Sequence, residues 1–407
     1  MMKEDLKRFI TASMPLFFIF SWYQIIAVIL KNFLWNVNAT YIHRVIVYSS
    51  YYCPLTLSSF VSTLCPFPKN KNEHLYLWFA VAIIDLVLYT LFGSSFEQVI
   101  ILAVLGGIAF GMGFPFCFSF FAKRISIEER GRISGIVLFT TSFFLSIFAL
   151  LSDYLEFRTL MIFSTCFMII GFMISFMLRP SEIDSKKECS RSFVSILLNR
   201  HFLLYLVPWI IFCFIDTLEV PILREYLQHT YGTEFEVSLV DTYTVITAFS
   251  MLLGGFFADN FGRKKILIYS FIVLGMAYAV IGIAAQSSIS WYIYFILYGI
   301  ASGLFAVIYI FIIWGDLSMQ GCIERSYVIG LLPYSVIVPI SEFITPYVLL
   351  IPISATFSFA SFFLFLAVFP LMYAPETLPE KLIRRRELRK YVEKAKRIRE
   401  KYEKAGN

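Results

Sequence analysis

The sequence predicts an all-α membrane protein of twelve transmembrane helices, and three observations carry that expectation. The first is composition: of 407 residues, 59% are hydrophobic and only 15% charged, with a mean hydropathy of +0.75. A soluble domain carries nearer a quarter charged residues, and no water-soluble core can absorb this much apolar side chain, so the solvent is lipid. The second is length: the chain divides into twelve apolar runs, each near the roughly 20 residues that a helix needs to cross a bilayer. The third is charge placement. If both termini lie inside, all but four of the 34 Lys and Arg residues fall on the inner side, the exceptions being Lys31, Arg44, Arg158 and Arg224. That asymmetry orients the chain with both termini cytoplasmic in the cell membrane.

In order, the expected helices are Ile10–Leu34, Thr40–Leu64, Leu75–Phe92, Glu97–Phe121, Ile133–Ser152 and Phe157–Leu178, then His201–Leu223, Val237–Ala258, Lys265–Ala284, Ser290–Trp314, Val328–Ile351 and Ala355–Ala374. Lys3, Lys7 and Arg8 precede a first run that is too long for a signal peptide and has no small-residue cleavage site, so it reads as helix 1 itself. A polar stretch, Arg179 to Arg200, separates the sixth run from the seventh. The domains expected are therefore 1–178, a six-helix bundle; 179–200, a cytoplasmic linker; 201–374, a second six-helix bundle; and 375–407, a basic helical tail. The tail places Leu388, Val392, Ala395, Ile398 and Tyr402 at helical spacing, suited either to the anionic inner leaflet or to a solvated helix.

Internal repeats support two related halves. Gly107-Ile108-Ala109-Phe110-Gly111 in helix 4 matches Gly299-Ile300-Ala301-Ser302-Gly303 in helix 10. The next inner loops open on Glu129-Arg130 and Glu324-Arg325, each followed five residues after the Arg by a glycine, Gly135 and Gly330. The offsets are 192 and 195 residues, so the two matches fall in order at nearly one spacing.

Between helices 8 and 9 the chain reads Gly255, Asp259, Gly262, Arg263 and Lys264, a short charged bend between greasy segments. This resembles the loop motif G-x-x-x-D-x-x-G-[RK]-[RK] of the major facilitator superfamily of secondary transporters. The resemblance implies the fold of that superfamily, with two six-helix bundles in pseudo-two-fold symmetry, and it implies an inner gate latch. Gly255 would let helix 5 approach closely, Asp259 would face the positive start of helix 5 near Ile133, and Arg263 would pair with Asp316 at the end of helix 10. The bland alternative is that these are positive-inside anchors. The matching first-half bend, Ser59 to Asn72, lacks the Gly, the Asp and the Gly-Arg pair, and the position matching Asp316 is Arg124. Pro375-Glu376-Thr377-Leu378 is similar to the P-E-T motif that ends sugar porters and organic-ion transporters; Arg179-Pro180-Ser181-Glu182 matches its first-half counterpart only in part. The glycine-and-proline antiporter motif of drug/proton exchangers is absent between Ile136 and Leu151.

Charges inside a membrane are costly enough to point to function. Asp85, Asp216, Glu219 and Glu342 fall within apolar runs. Counting ~1.5 Å per residue places Asp216 and Glu342 at a common depth, about 21–23 Å from the inner helix ends. Helices 7 and 11 line the cavity in the superfamily, so these two are candidates for protonation or substrate contact, or else for structural hydrogen bonds. Glu219 shares a helix face with Asp216, and Gln24 and Tyr23 of helix 1 lie at similar depth. Arg44 and Lys31 are placed to pair with Glu219 or Glu225 at an outer gate. No Lys or Arg sits deep in a helix, which disfavours strongly anionic substrates and favours cations, neutral solutes or proton coupling. The 24 Tyr and 45 Phe suit an aromatic cage for an organic cation or ordinary lipid-facing surface.

Several chemistries find no support. There is no phosphate-cradling Gly-rich loop, no metal-ligand spacing among the four histidines, and no paired spacing among the seven cysteines, which read as small buried hydrophobes. The expectation is a monomeric secondary transporter, not an enzyme, without cofactor or metal. Its partners are a small-molecule substrate, protons and the lipid bilayer, with no nucleic acid. A sugar or organic-cation porter and a drug or metabolite exporter are alternatives within the fold. A non-transporting receptor or sensor, and a multi-pass membrane enzyme, are the alternatives outside it.

Overall fold

Helix is the only regular structure among the described residues, as expected where a backbone in hydrocarbon must satisfy its own N–H and C=O groups. The computed structural model describes residues 2–65, 71–93, 95–178, 189, 191–318 and 321–379, together with 388, 392, 395 and 396 of the tail. Half of the 179–200 linker, including Arg179-Pro180-Ser181-Glu182, and most of the tail, including Ile398 and Tyr402, lie outside the described residues.

The long helices are α1 (Met2–Asn36), α2 (Tyr41–Leu64), α3 (Lys71–Phe92), α4 (Phe96–Arg124), α5 (Arg130–Tyr154) and α6 (Phe157–Leu178). A short α7 (Phe193–Leu197) leads to α8 (Arg200–Tyr231), α9 (Thr233–Phe261) and α10 (Arg263–Ala284). Next, α11 (Ser288–Phe305) passes through a π-helical segment, Ala306–Ile312, into α12 (Ile313–Asp316), followed by α13 (Ile323–Val348), α14 (Ile353–Leu366) and α15 (Val368–Tyr373). Among the described residues, eleven stretches are long and apolar enough to cross a membrane, with α11 through α12 forming one and α14 with α15 another. The long helix that is not among them is α2. Its run of Ser, Thr and Tyr with one Arg lowers its hydropathy, so the expected twelfth span rests on its helical length and its packing against α4.

Small residues set the tightest crossings, because without a hydrophobic force between helices in lipid, association depends on close packing. The repeated glycines lie at such places: a methyl on Gly107 of α4 would run into the Tyr51 carbonyl of α2, and one on Gly303 of α11 would meet the Thr247 carbonyl of α9. Helices α1 to α6 pack mainly on one another, as do α8 to α15, and the two groups meet where α5 lies along α9 and α2 along α13.

Two expectations need correction. The bend between α9 and α10 is one residue: α9 continues through Asp259 to Phe261, and Gly262, with φ 96°, breaks the helix by itself. Only a residue that tolerates positive φ can turn the chain this sharply. The cysteines are not all free, for Cys189 and Cys322 form a disulfide across 133 residues. It joins the segment before α7 to the start of α13, a pairing invisible to sequence spacing because the two sulfurs meet only in three dimensions. Cys53, Cys65, Cys117, Cys166 and Cys213 remain free. Alkylation in SDS should therefore modify five thiols without reductant and seven after reduction, read by intact mass; seven modified thiols without reductant would exclude the bond.

Candidate functional site

At the end carrying α7, the starts of α5 and α10 meet the ends of α9 and α12. A methyl on Gly255 would strike the Gly131 carbonyl, and one on Gly131 would strike Asp259, so α5 and α9 touch backbone to backbone. That proximity seats the Asp259 carboxylate on the exposed amides of the first turn of α5: Gly131 N–H donates to Oδ1 at 3.0 Å and Arg132 N–H to Oδ2 at 2.9 Å. A helix N-terminus is the favourable place for a negative charge, since its first N–H groups have no intrahelical partner.

Asp316, ending α12, lies between two arginines, pairing with Arg130 of α5 through Oδ1 and with Arg263 of α10 through Oδ2. Arg263 is fully buried and also donates to the Ile127 carbonyl at 2.7 Å, while Asp259 stands 3.9 Å from it. Arg130 further donates to the Ala122 carbonyl at the end of α4. A parallel bridge joins Lys123 of α4 to Glu324 of α13 at 2.8 Å, where the Ser119 hydroxyl also donates to Glu324 at 2.7 Å. The remaining motif residues serve local roles. Glu129 accepts from Ser126 at 3.1 Å, and Arg325 donates to the Arg191 carbonyl while lying over the Phe193 ring. The Lys264 ammonium donates to the Met372 carbonyl at 2.7 Å.

Sequence reasoning missed the acceptor at the start of α10. Glu376, just beyond α15, takes Arg263 N–H at 2.9 Å and Lys264 N–H at 3.2 Å, and also Thr377 and Leu378 N–H at 3.0 and 3.1 Å. Its P-E-T setting signalled it; the partner did not show because the two lie 113 positions apart in the sequence. At the position corresponding to Asp316 in the other half, Arg124 lies over the Phe120 ring, and its carbonyl accepts from Arg8 at 2.6 Å.

Behind this network, between the two groups of helices, is a cavity of about 250 Å³. Tyr23 and Gln24 of α1 line it from one side and Asp216 of α8 from the other, with Ala306 and Ile310 exposed to it by the π-helical segment. Insertions of this kind often mark functional sites in helices. Asp216 takes a hydrogen bond from Tyr298 at 2.5 Å, and Tyr23 and Tyr52 share one between their hydroxyls at 2.8 Å.

The other intramembrane carboxylates are elsewhere. Glu219 shares a helix with Asp216 but not its cavity: it is buried against α10 and α11, where the Tyr278 and Tyr294 hydroxyls both donate to it. Its oxygens are thus occupied, and the expected outer pairing with Lys31 or Arg44 does not form. Glu342 is half-buried outside the cavity lining, within electrostatic range of Arg44 and Tyr48, so it and Asp216 do not converge. The proline-rich course of α13, with Pro333, Pro339 and Pro346, makes such a depth count unreliable as a guide to direction. Asp85 is buried beside Gly106 with neither oxygen hydrogen-bonded. The tyrosine partners were not foreseen because no local spacing relates α8 to α10 or α11. No group of His, Cys, Asp or Glu suited to a metal ion occurs among the described residues.

No protein-family model matches the sequence, and no curated protein matches it. Solved structures do. The human organic anion transporter MFSD10 (TETRAN) superposes with a TM-score of 0.64 at 12% identity, over 90% of this chain and 99% of that one. The major facilitator superfamily proton:xylose symporter XylE, bound to 6-bromo-6-deoxy-D-glucose, gives a TM-score of 0.69 at 11% identity, over 91% of this chain and 96% of that one. The chain is a multi-pass helical membrane protein with the major facilitator fold.

Asp316 carries the sharpest prediction about the network. Asp316→Asn strands two buried guanidinium groups, and breaking a buried pair costs about 3–5 kcal/mol. The purified variant should unfold at markedly lower temperature than the parent, and an unchanged melting temperature would contradict the ion-pair geometry.

Proposed function

We propose that the chain is a secondary active transporter that moves a small solute by alternating access, coupled to protons. In this reading residues 1–178 and 201–374 form two six-helix halves, α2 included as a span, with both termini on the cytoplasmic side of the cell membrane. The observation that carries it is the pairing of a central cavity with a polar latch across one end. Asp259 on the amides of α5 and Asp316 between Arg130 and Arg263 tie the halves together at the α7 end. Elsewhere α1 and α8 barely touch. With the α7 end cytoplasmic, the described conformation is inward-closed, and release of the latch would open it to the cytoplasm.

Each latch contact suits a gate. A carboxylate on helix-terminal amides needs no side-chain partner to reorganise, and it dissolves as soon as α5 and α9 separate. Proton coupling is assigned to Asp216, the carboxylate on the cavity wall. A charge at this depth is costly in an apolar surround, so the site is stable when neutralised by a proton or by a positively charged ligand. Binding of one would then oppose the other, which links flux to a proton gradient. A receptor that kept the carrier fold is the second reading, favoured by Arg124 and the missing first-half motif, which leave the latch without a counterpart.

Reconstitution decides between them. Vesicles holding the purified protein, given an imposed pH gradient and labelled xylose, 1-methyl-4-phenylpyridinium or para-aminohippurate, should accumulate at least one solute. Asp259→Asn puts an amide in place of the carboxylate against the Arg132 N–H, and losing about 1.4 kcal/mol of latch energy shifts the two conformations roughly ten-fold. Its flux should fall by about that factor while insertion is unchanged. Asp216→Asn should make any remaining transport insensitive to pH. Normal flux in the first variant would remove the latch, and an unaltered pH response in the second would remove the coupling.

A further inference from the structure

We infer that the central cavity binds a monovalent organic cation with an aromatic or aliphatic body, held by Asp216 and surrounded by aromatic rings. The inference rests on the central cavity being the carrier's substrate site, and it names the class of molecule that fits there.

Charge comes first. Among the described residues Asp216 is the sole carboxylate on the cavity wall, and no Lys, Arg or His lines it. The hydrogen bond from Tyr298 engages Oδ1, a single neutral donor that leaves the carboxylate's charge uncompensated. An anion entering would meet that charge with no base to balance it. A dication would carry a surplus charge into an apolar chamber. One positive charge closes the electrostatic account.

The walls come second. The face around Asp216 is aromatic: Trp209 stacks on Phe212 at 5.5 Å between centroids, Phe212 lies 4.5 Å from Phe305, and Tyr243 stacks on Tyr298 at 5.0 Å. The opposite wall repeats the pattern, with Tyr23 and Phe110 at 4.9 Å and Phe110 on Phe114 at 5.5 Å. A cation within about 6 Å of a ring face is drawn to its quadrupole, most strongly where water is excluded. Rings on both walls and one carboxylate are the recurring recipe for alkylated or aromatic ammonium groups.

Size comes third. The volume of about 250 Å³ suits a compact ligand of one or two rings.

The test measures binding alone, so it needs no turnover. The purified full-length protein is titrated with tritiated 1-methyl-4-phenylpyridinium, and competition is measured with three molecules: tetrapropylammonium, the uncharged near-isostere 4-methylbiphenyl, and the anion biphenyl-4-carboxylate. Saturable binding of the pyridinium is expected, displaced by tetrapropylammonium, with both biphenyls at least roughly ten-fold weaker. Asp216→Asn should weaken binding by about ten-fold or more, Asp216→Glu should retain most of it, and Tyr243→Phe should bind more tightly than Tyr243→Leu. Gel filtration and melting temperature confirm that the variants fold. Absence of saturable binding of both cations, equal competition by either biphenyl, or Asp216→Asn binding like the parent overturns the inference. Cation binding without flux in vesicles would leave it standing while refuting the transporter reading. Flux of xylose or para-aminohippurate without cation binding would do the reverse.

Discussion

The constraint on which the rest depends is the contact of Asp259 with the first turn of α5. It requires two helices from different halves of the chain to approach until their backbones touch, which Gly131 and Gly255 permit and any larger residue would forbid. Given that approach, the unpaired amides of Gly131 and Arg132 receive a carboxylate without help from another side chain. Everything nearby is arranged around the same seam. Arg130 is the first residue of α5 and Arg263 the first of α10, so both guanidinium groups are delivered to Asp316 by helix starts that the seam has already positioned. Burying Arg263 completely is tolerable because its charge is paired and it also donates to a carbonyl.

The polar groups of the membrane interior follow a different economy. Glu219 accepts hydrogen bonds from two tyrosines and does not line the central cavity, so its polar contacts are made within the second half. Asp216, three residues earlier, emerges on the cavity side of the same helix. Adjacent turns of α8 thus place their carboxylates differently: one is bonded by tyrosines of its own half, and the other lies on the wall of the central cavity.

How much of this was legible in the sequence depended on whether its signal was local. Gly255, Asp259 and Gly262 stand in a fixed short spacing, and each has a physical job that few other residues perform, so the seam could be read directly. The helical spans were legible from apolar length, except at α2, whose Ser and Thr residues lower its hydropathy and in part serve contacts inside the protein, as Thr56 does with Ser335 of α13. What could not be read were partnerships across sequence: Tyr298 with Asp216, Tyr278 and Tyr294 with Glu219, Glu376 with the start of α10, and Cys189 with Cys322. None of these leaves a periodic trace. Depth counting could not show that Glu342 lies outside the cavity lining, since depth fixes height along a helix and says nothing of the compass direction in which a side chain points.

Glu376 ties the segment leaving the last membrane helix to the amides that begin α10, one of which belongs to Arg263. The stretch Pro375–Leu378 is therefore anchored to the same helix start whose guanidinium holds Asp316, so a change in the path of these four residues would be felt at that ion pair first.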